Sequence, residues 1–82
     1  MPATITPEQV ETVVYDALTD IGPTRDMLHR DATFEELDVD SLDLAELSQV
    51  VEQHFGVRLK GDDVAQIKTI GDAIDLIAAR AA

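Results

Sequence analysis

The chain contains no cysteine and no tryptophan, and has only two phenylalanines and one tyrosine. Without thiols there can be no disulfide, no thiolate nucleophile and no thiolate zinc site. With so few aromatic rings, the core must be built mostly from Val, Ile, Leu and Ala. Positive charge is also scarce: six Lys and Arg stand against 17 Asp and Glu, a formal net charge of −11 at pH 7. Such a surface excludes nucleic-acid and anionic-membrane partners, which require Lys and Arg. It favours partners with basic patches, with encounter steered by charge and weakened by salt over a Debye length of about 8 Å. No apolar run approaches the length of a membrane span, so stable membrane insertion is not expected. The first residues, MPATITPEQ, lack the basic and apolar regions of a signal peptide, and the expected location is cytoplasmic.

What remains is enough for one small domain. The expectation is a single unit over residues 1–82, ordered from about 6 to 80. A chain of this size buries roughly 60% of its unfolded surface. Its stability is therefore on the order of 3–5 kcal/mol. Hydrophobic residues make up 45% of the chain, sufficient for a folded core.

Helical periodicity and end signals divide the chain into four segments. Residues 1–5 read as a loose lead-in. Thr6, Pro7 and Gln9 form a helix start with a capping box, and Val10, Val13, Val14, Ala17, Leu18 and Ile21 follow at helical spacing until Gly22-Pro23. A long connection over 22–40 carries Leu28, Phe34 and Leu37, which anchor it on the core; connections of this length are uncommon in compact domains. A second helix runs over 41–55. Val57 and Leu59 alternate in a half-buried link, and Asp62 caps a short third helix over about 63–67, with Val64 and Ile67 inward. Thr69 caps a fourth helix with Asp72 at N3, and Arg80 complements its C-terminal dipole. The fold expected is all-α: a small four-helix bundle, three helices longer and one short, with a long loop between the first two.

The second helix carries the most information. Asp40 is a good N-cap and Asp43 lies in the first turn, while Gly56 suits the stop. At about 100° per residue, Leu44, Leu47, Val51 and Phe55 fall within an arc of roughly 80° and face the core. Leu42, Ala45, Gln49 and Gln53 lie opposite, flanked by Glu46 and Glu52. Ser41 stands at the N-terminal end of this outward face, a solvent-accessible hydroxyl beside a positive helix terminus, which suits a covalently attached phosphate.

Intrinsic catalysis finds no support. Ser41 lacks the G-x-S-x-G setting of a hydrolase elbow. His54 is more than three turns along the same helix, roughly 20 Å away at 1.5 Å per residue, and His29 sits in the long loop with no motif around it. The D-x-D at Asp38 and Asp40 fails as an EF-hand, because the fifth, sixth and twelfth places counted from Asp38 hold Leu42, Asp43 and Gln49. No metal site is expected.

The pattern F-x-x-L-x-x-D-S-L, here Phe34, Leu37 and Asp40-Ser41-Leu42, followed by an acidic amphipathic helix, resembles the acyl carrier proteins of fatty-acid and polyketide synthesis. The resemblance extends over most of the chain, through the 69–77 segment TIGDAIDLI. It implies a freestanding, monomeric, non-catalytic carrier with 4′-phosphopantetheine on Ser41, delivered from coenzyme A by a phosphopantetheinyl transferase. Asp40 and Leu42 would complete that site. The thiol missing from the chain would come from the prosthetic group and hold acyl cargo as a thioester. Synthase enzymes with basic docking patches (ketosynthase, acyltransferase, reductase) would read Asp43, Ala45, Glu46, Gln49, Glu52 and Gln53. Acyl groups would be sheltered between helices near Val51, Leu59, Val64 and Ile67. An aminoacyl or peptidyl carrier of a nonribosomal pathway, or an unmodified acidic interaction module, are the alternatives. One departure from the family pattern is Asp38, where many carriers have Gly; aspartate tolerates positive φ better than most residues.

Overall fold

The computed structural model describes residues 5–81. The expected lead-in lies outside them except for Ile5, which packs half-buried against the core. The chain is all-helical, with α1 at Pro7–Ile21, α2 at Ser41–Phe55, α3 at Gly61–Gln66 and α4 at Ile70–Ala81. No strand occurs among the described residues. Helix α1 is the centre of the bundle and packs on both α2 and α4.

The helices start where the side chains satisfy their free N–H groups. The Gln9 N–H donates to Thr6 Oγ1 at 3.3 Å, and the Thr6 N–H donates back to Gln9 Oε1 at 3.0 Å. Thr69 and Asp72 repeat the arrangement at α4 with distances of 3.3 and 3.0 Å. Helix α2 ends at Gly56, whose φ of 69° is left-handed and suits a residue without a side chain.

Helix α3 departs from expectation. It begins at Gly61 rather than Asp63, and Asp62 is not its cap. Asp63 instead accepts the Lys60 N–H at 3.0 Å. That local bond caps the helix, and the Asp63 carboxylate is also gripped by Arg80 on α4, through Nη1 at 2.8 Å and Nη2 at 2.5 Å. That pairing turns Asp63 inward and leaves Asp62 exposed. Arg80, expected only to complement a helix dipole, thus ties α3 to α4.

The 22–40 connection is a built element. A 3-10 turn, Arg25–Met27, opens it, and the Arg25 guanidinium lies 5.2 Å from the centroid of the buried Tyr15 ring. Residues 33–38 then form one capped turn. Thr33 and Glu36 exchange side-chain and backbone bonds at 2.9 and 3.1 Å. Asp38 closes the turn at φ 59°, with its own N–H on the Glu35 carbonyl and the Val39 N–H on the Phe34 carbonyl, the bonding pattern of a Schellman cap. Aspartate therefore does occupy a left-handed position two residues before Asp40. The turn drives Phe34, Leu37 and Val39 into the core.

The connection is also stitched to the far end of the chain. The Phe34 N–H donates to the Lys68 carbonyl at 3.1 Å, and the Ile70 and Gly71 N–H groups donate to the carbonyls of Ala32 and Arg30 at 3.0 and 2.9 Å. Gly71 permits the approach, since a Cβ there would lie 3.0 Å from the Arg30 carbonyl oxygen. Arg30 adds an ion pair to Asp75 at 2.6 Å. The core at the centre is aliphatic, with Val10, Val14, Leu18, Val51, Ile70, Ile74 and Ile77 fully buried.

Candidate functional site

Ser41 is the first residue of α2. The capped turn at 33–38 and the buried Val39 fix the approach, and Asp40 then caps the helix. The Asp43 N–H donates to Asp40 Oδ1 at 3.0 Å, and the Asp40 N–H lies 3.4 Å from Asp43 Oδ2. Both carboxylates thus hold the backbone on either side of Ser41. The serine itself is exposed, and among the described residues its hydroxyl has no hydrogen-bond partner. Leu42 beside it is 77% exposed, the most open large apolar side chain described. His29 and His54 are both exposed. Among the described residues no group of three His, Cys, Asp or Glu side chains is arranged to hold a metal ion.

A groove of about 400 Å³ begins at Ser41 and runs between α2 and the 59–64 segment. Leu44, Ala45, Ser48, Gln49 and Glu52 form one wall, and Leu59, Lys60, Gly61 and Val64 the other. The Ser48 hydroxyl donates to the Leu44 carbonyl at 2.9 Å. Leu44, which the wheel assigns to the core, is half-buried and is shared between core and groove.

The candidate residues distribute in a definite way. Ala45, Gln49 and Glu52 lie in the groove with Ser41, and Leu59 and Val64 face them. Glu46 and Gln53 lie on the other flank of α2, in hollows shared with α1 that include Ala17, Asp20 and Val50. Val51 is fully buried beneath the helix. Ile67 borders a separate hollow with Phe34 and Lys68. Ser48, Lys60 and Gly61 are groove residues that sequence reasoning did not single out, and Leu44 was assigned to the core alone. Ser48 was within reach, because it lies seven residues after Ser41 and on the same helical row. Lys60 was not, because its position depends on the direction in which the 56–60 link returns.

The electrostatics around the groove are largely settled internally. Asp63, at the N-terminal turn of α3, is held below the usual carboxylate range by the Lys60 N–H and by Arg80, against the opposing effect of desolvation. Glu52 is paired with Arg58 at 3.4 Å, an exposed contact of little energetic weight.

Against this geometry the comparisons with known proteins are consistent. The family described as "Phosphopantetheine attachment site" matches residues 11–77, most of the chain. The chain is 37% identical over 73 residues to the "Acyl carrier protein" of Acidothermus cellulolyticus, covering 87% of each. It is 38% identical over 71 residues to the "Acyl carrier protein" of Nitratidesulfovibrio vulgaris strain DP4, covering 85% of this chain and 90% of that one.

Proposed function

Since the chain belongs to the phosphopantetheine-attachment family of acyl carrier proteins, and so carries 4′-phosphopantetheine covalently, we propose that Ser41 is the point of attachment and that the protein serves fatty-acid or polyketide assembly. The observation that carries this reading is the Ser41 hydroxyl, exposed and without a hydrogen-bond partner at the mouth of a partly apolar groove. In the attachment step Ser41 Oγ loses its proton and bonds to the pantetheine-bearing phosphorus of coenzyme A. The pyrophosphate bond breaks and the nucleotide leaves. A separate phosphopantetheinyl transferase performs this and takes up the proton, since among the described residues no side chain hydrogen-bonds the Ser41 hydroxyl. When bound, the group supplies the thiol that the sequence lacks.

The remaining residues bind and present. Asp40 and Asp43 hold the helix start, and Leu42 offers an apolar contact beside the tether. Ala45, Gln49 and Glu52 on one flank, with Asp43, Glu46 and Gln53, form the surface that basic patches on synthase enzymes read. Leu59 and Val64 shelter the first part of an acyl chain. Val51 and Ile67 join them when α2 and α3 part to admit more. Exposed ion pairs of ~0–1 kcal/mol each keep such encounters fast and reversible.

Incubation with coenzyme A and a phosphopantetheinyl transferase tests the assignment. Intact mass is expected to rise by one prosthetic group in the wild type and to stay unchanged in Ser41→Ala, with the helical circular-dichroism signal preserved in both. A Ser41→Ala protein that still gains the group overturns the assignment. The mass of the thioester trapped from the native host separates acyl cargo from an aminoacyl or peptidyl one.

A further inference from the structure

We propose that Lys60 is a positioning residue that pairs its ammonium with the phosphodiester formed on Ser41 and so sets the arm along the α2–α3 groove; this rests on Ser41 being the attachment point.

Two observations carry it. The first is placement: Ser41 and Lys60 lie on the two walls of one groove. Lys60 is exposed, and its neighbour Gly61 has no side chain to obstruct the rim. The second is the allocation of positive charge. Each of the four arginines is committed to a carboxylate: Arg25 to Asp16, Arg30 to Asp75, Arg58 to Glu52 and Arg80 to Asp63. The two carboxylates on either side of Lys60 that carry ion pairs already have arginine partners, and exposed Asp62 does not line the groove. Glu52 across the groove has Arg58, and Asp63, three residues on, takes both Nη groups of Arg80. Among the described residues Lys60 makes no ion pair, and it is the one cation lining the groove.

The phosphodiester needs such a partner. It adds a negative charge to a chain already at −11, directly between Asp40 and Asp43. The start of α2 offers limited relief, because Asp40 already claims the Asp43 N–H. A flexible ammonium stem opposite Ser41 supplies the missing counter-charge. With the phosphate drawn to that side, the arm leaves Ser41 towards Leu59 and Val64 rather than outward over Leu42.

The test follows the two lysine Nζ resonances by NMR in the unloaded and loaded protein, after intact mass has established loading. A nearby anion favours the charged form of an amine. Loading is expected to shift the Lys60 Nζ resonance at low salt, less as salt rises, and to leave that of Lys68 unmoved. The ³¹P resonance of the loaded protein is expected to shift in Lys60→Gln, to return in Lys60→Arg, and to ignore Lys68→Gln. A loaded protein in which Lys60 and Lys68 respond alike, or in which Lys60→Gln leaves the ³¹P resonance in place, overturns the pairing while the Ser41 assignment stands. A wild type that never loads removes the Ser41 assignment and the pairing together.

Discussion

Arg80 in the last turn of α4 holds both carboxylate oxygens of Asp63 on α3, at 2.8 and 2.5 Å. Helix α3 has only six residues, too few to be stable alone, so this paired contact and the packing of Leu59 and Ile67 on either side of it hold it in place. It also forms one wall of the groove at Ser41. Replacing Arg80 by Gln is expected to lower the thermal midpoint and to raise amide exchange over residues 61–66 well before α1 is affected. Uniform acceleration across all four helices would show that the pair stabilises the whole bundle rather than α3.

Asp63 and Asp72 are both held below the usual carboxylate range. For Asp63 the leading cause is the Lys60 N–H, then Arg80; for Asp72 it is the N–H groups of Thr69 and Lys68. The folded chain thus binds these two protons less readily than the unfolded chain. Their stabilisation is fully present above the unfolded value of about 3.9 and is lost as pH falls through the lower folded values. Urea unfolding of Asp63→Asn and Asp72→Asn is expected to show a clear deficit against wild type at pH 7 that narrows by pH 3. A deficit of equal size at both pH values would mean that the carboxylate charge contributes nothing.

Phe34 is almost fully buried and joins the long connection to the core. Phe34→Ala is expected to cost about 3–5 kcal/mol. Since a domain this small holds only ~3–5 kcal/mol in total, the variant should be largely unfolded by circular dichroism at 25 °C. A cooperative urea transition with a midpoint near that of wild type would show that the connection is not held by this ring.

Asp38 sits at φ 59°, where a β-carbon is strained. Asp38→Gly should match or exceed wild-type stability, and Asp38→Val should lose about 1–2 kcal/mol, both read from urea midpoints. Equal losses in the two variants would locate the contribution in the carboxylate and not in the backbone.

Glu46 lies with Asp20 on the α1 flank of α2 and makes no ion pair among the described residues. Glu46→Lys is expected to slow transfer by a cognate partner severalfold at low salt, and less as salt rises, since screening removes the charge difference. Turnover that is unchanged at low salt would move the docking surface to the Ala45, Gln49 and Glu52 flank.

The parts of this fold legible in the sequence are those decided within a few residues. The caps at Thr6, Asp40 and Thr69 and the stop at Gly56 each involve neighbours no more than four positions apart. The stripes they bound are periodic, so α1, α2 and α4 could be drawn to their ends. Helix α3 was misplaced by two residues because Asp62 was read as its cap, whereas Asp63 caps it from within the first turn and is also held by Arg80, 17 positions away. The Arg30–Asp75 pair and the bonds from α4 to the 30–34 backbone have the same character: nothing local announces them. The site follows the same division. Ser41 and its capping carboxylates could be read from the motif, whereas the groove wall contributed by Lys60 and Gly61 depends on how the chain returns after Phe55.

The carbonyls of Ala32 and Arg30 accept the first two N–H groups of α4, and this has a consequence for the order of events during synthesis. A nascent chain that has released Ser41 but not yet residue 71 lacks the helix on which the run-up to that serine is moored. Domains fold as units while they emerge. The hydroxyl is therefore displayed in its finished surroundings only once the residues of α4 have left the ribosome, so that any enzyme recognising shape rather than sequence meets a folded domain.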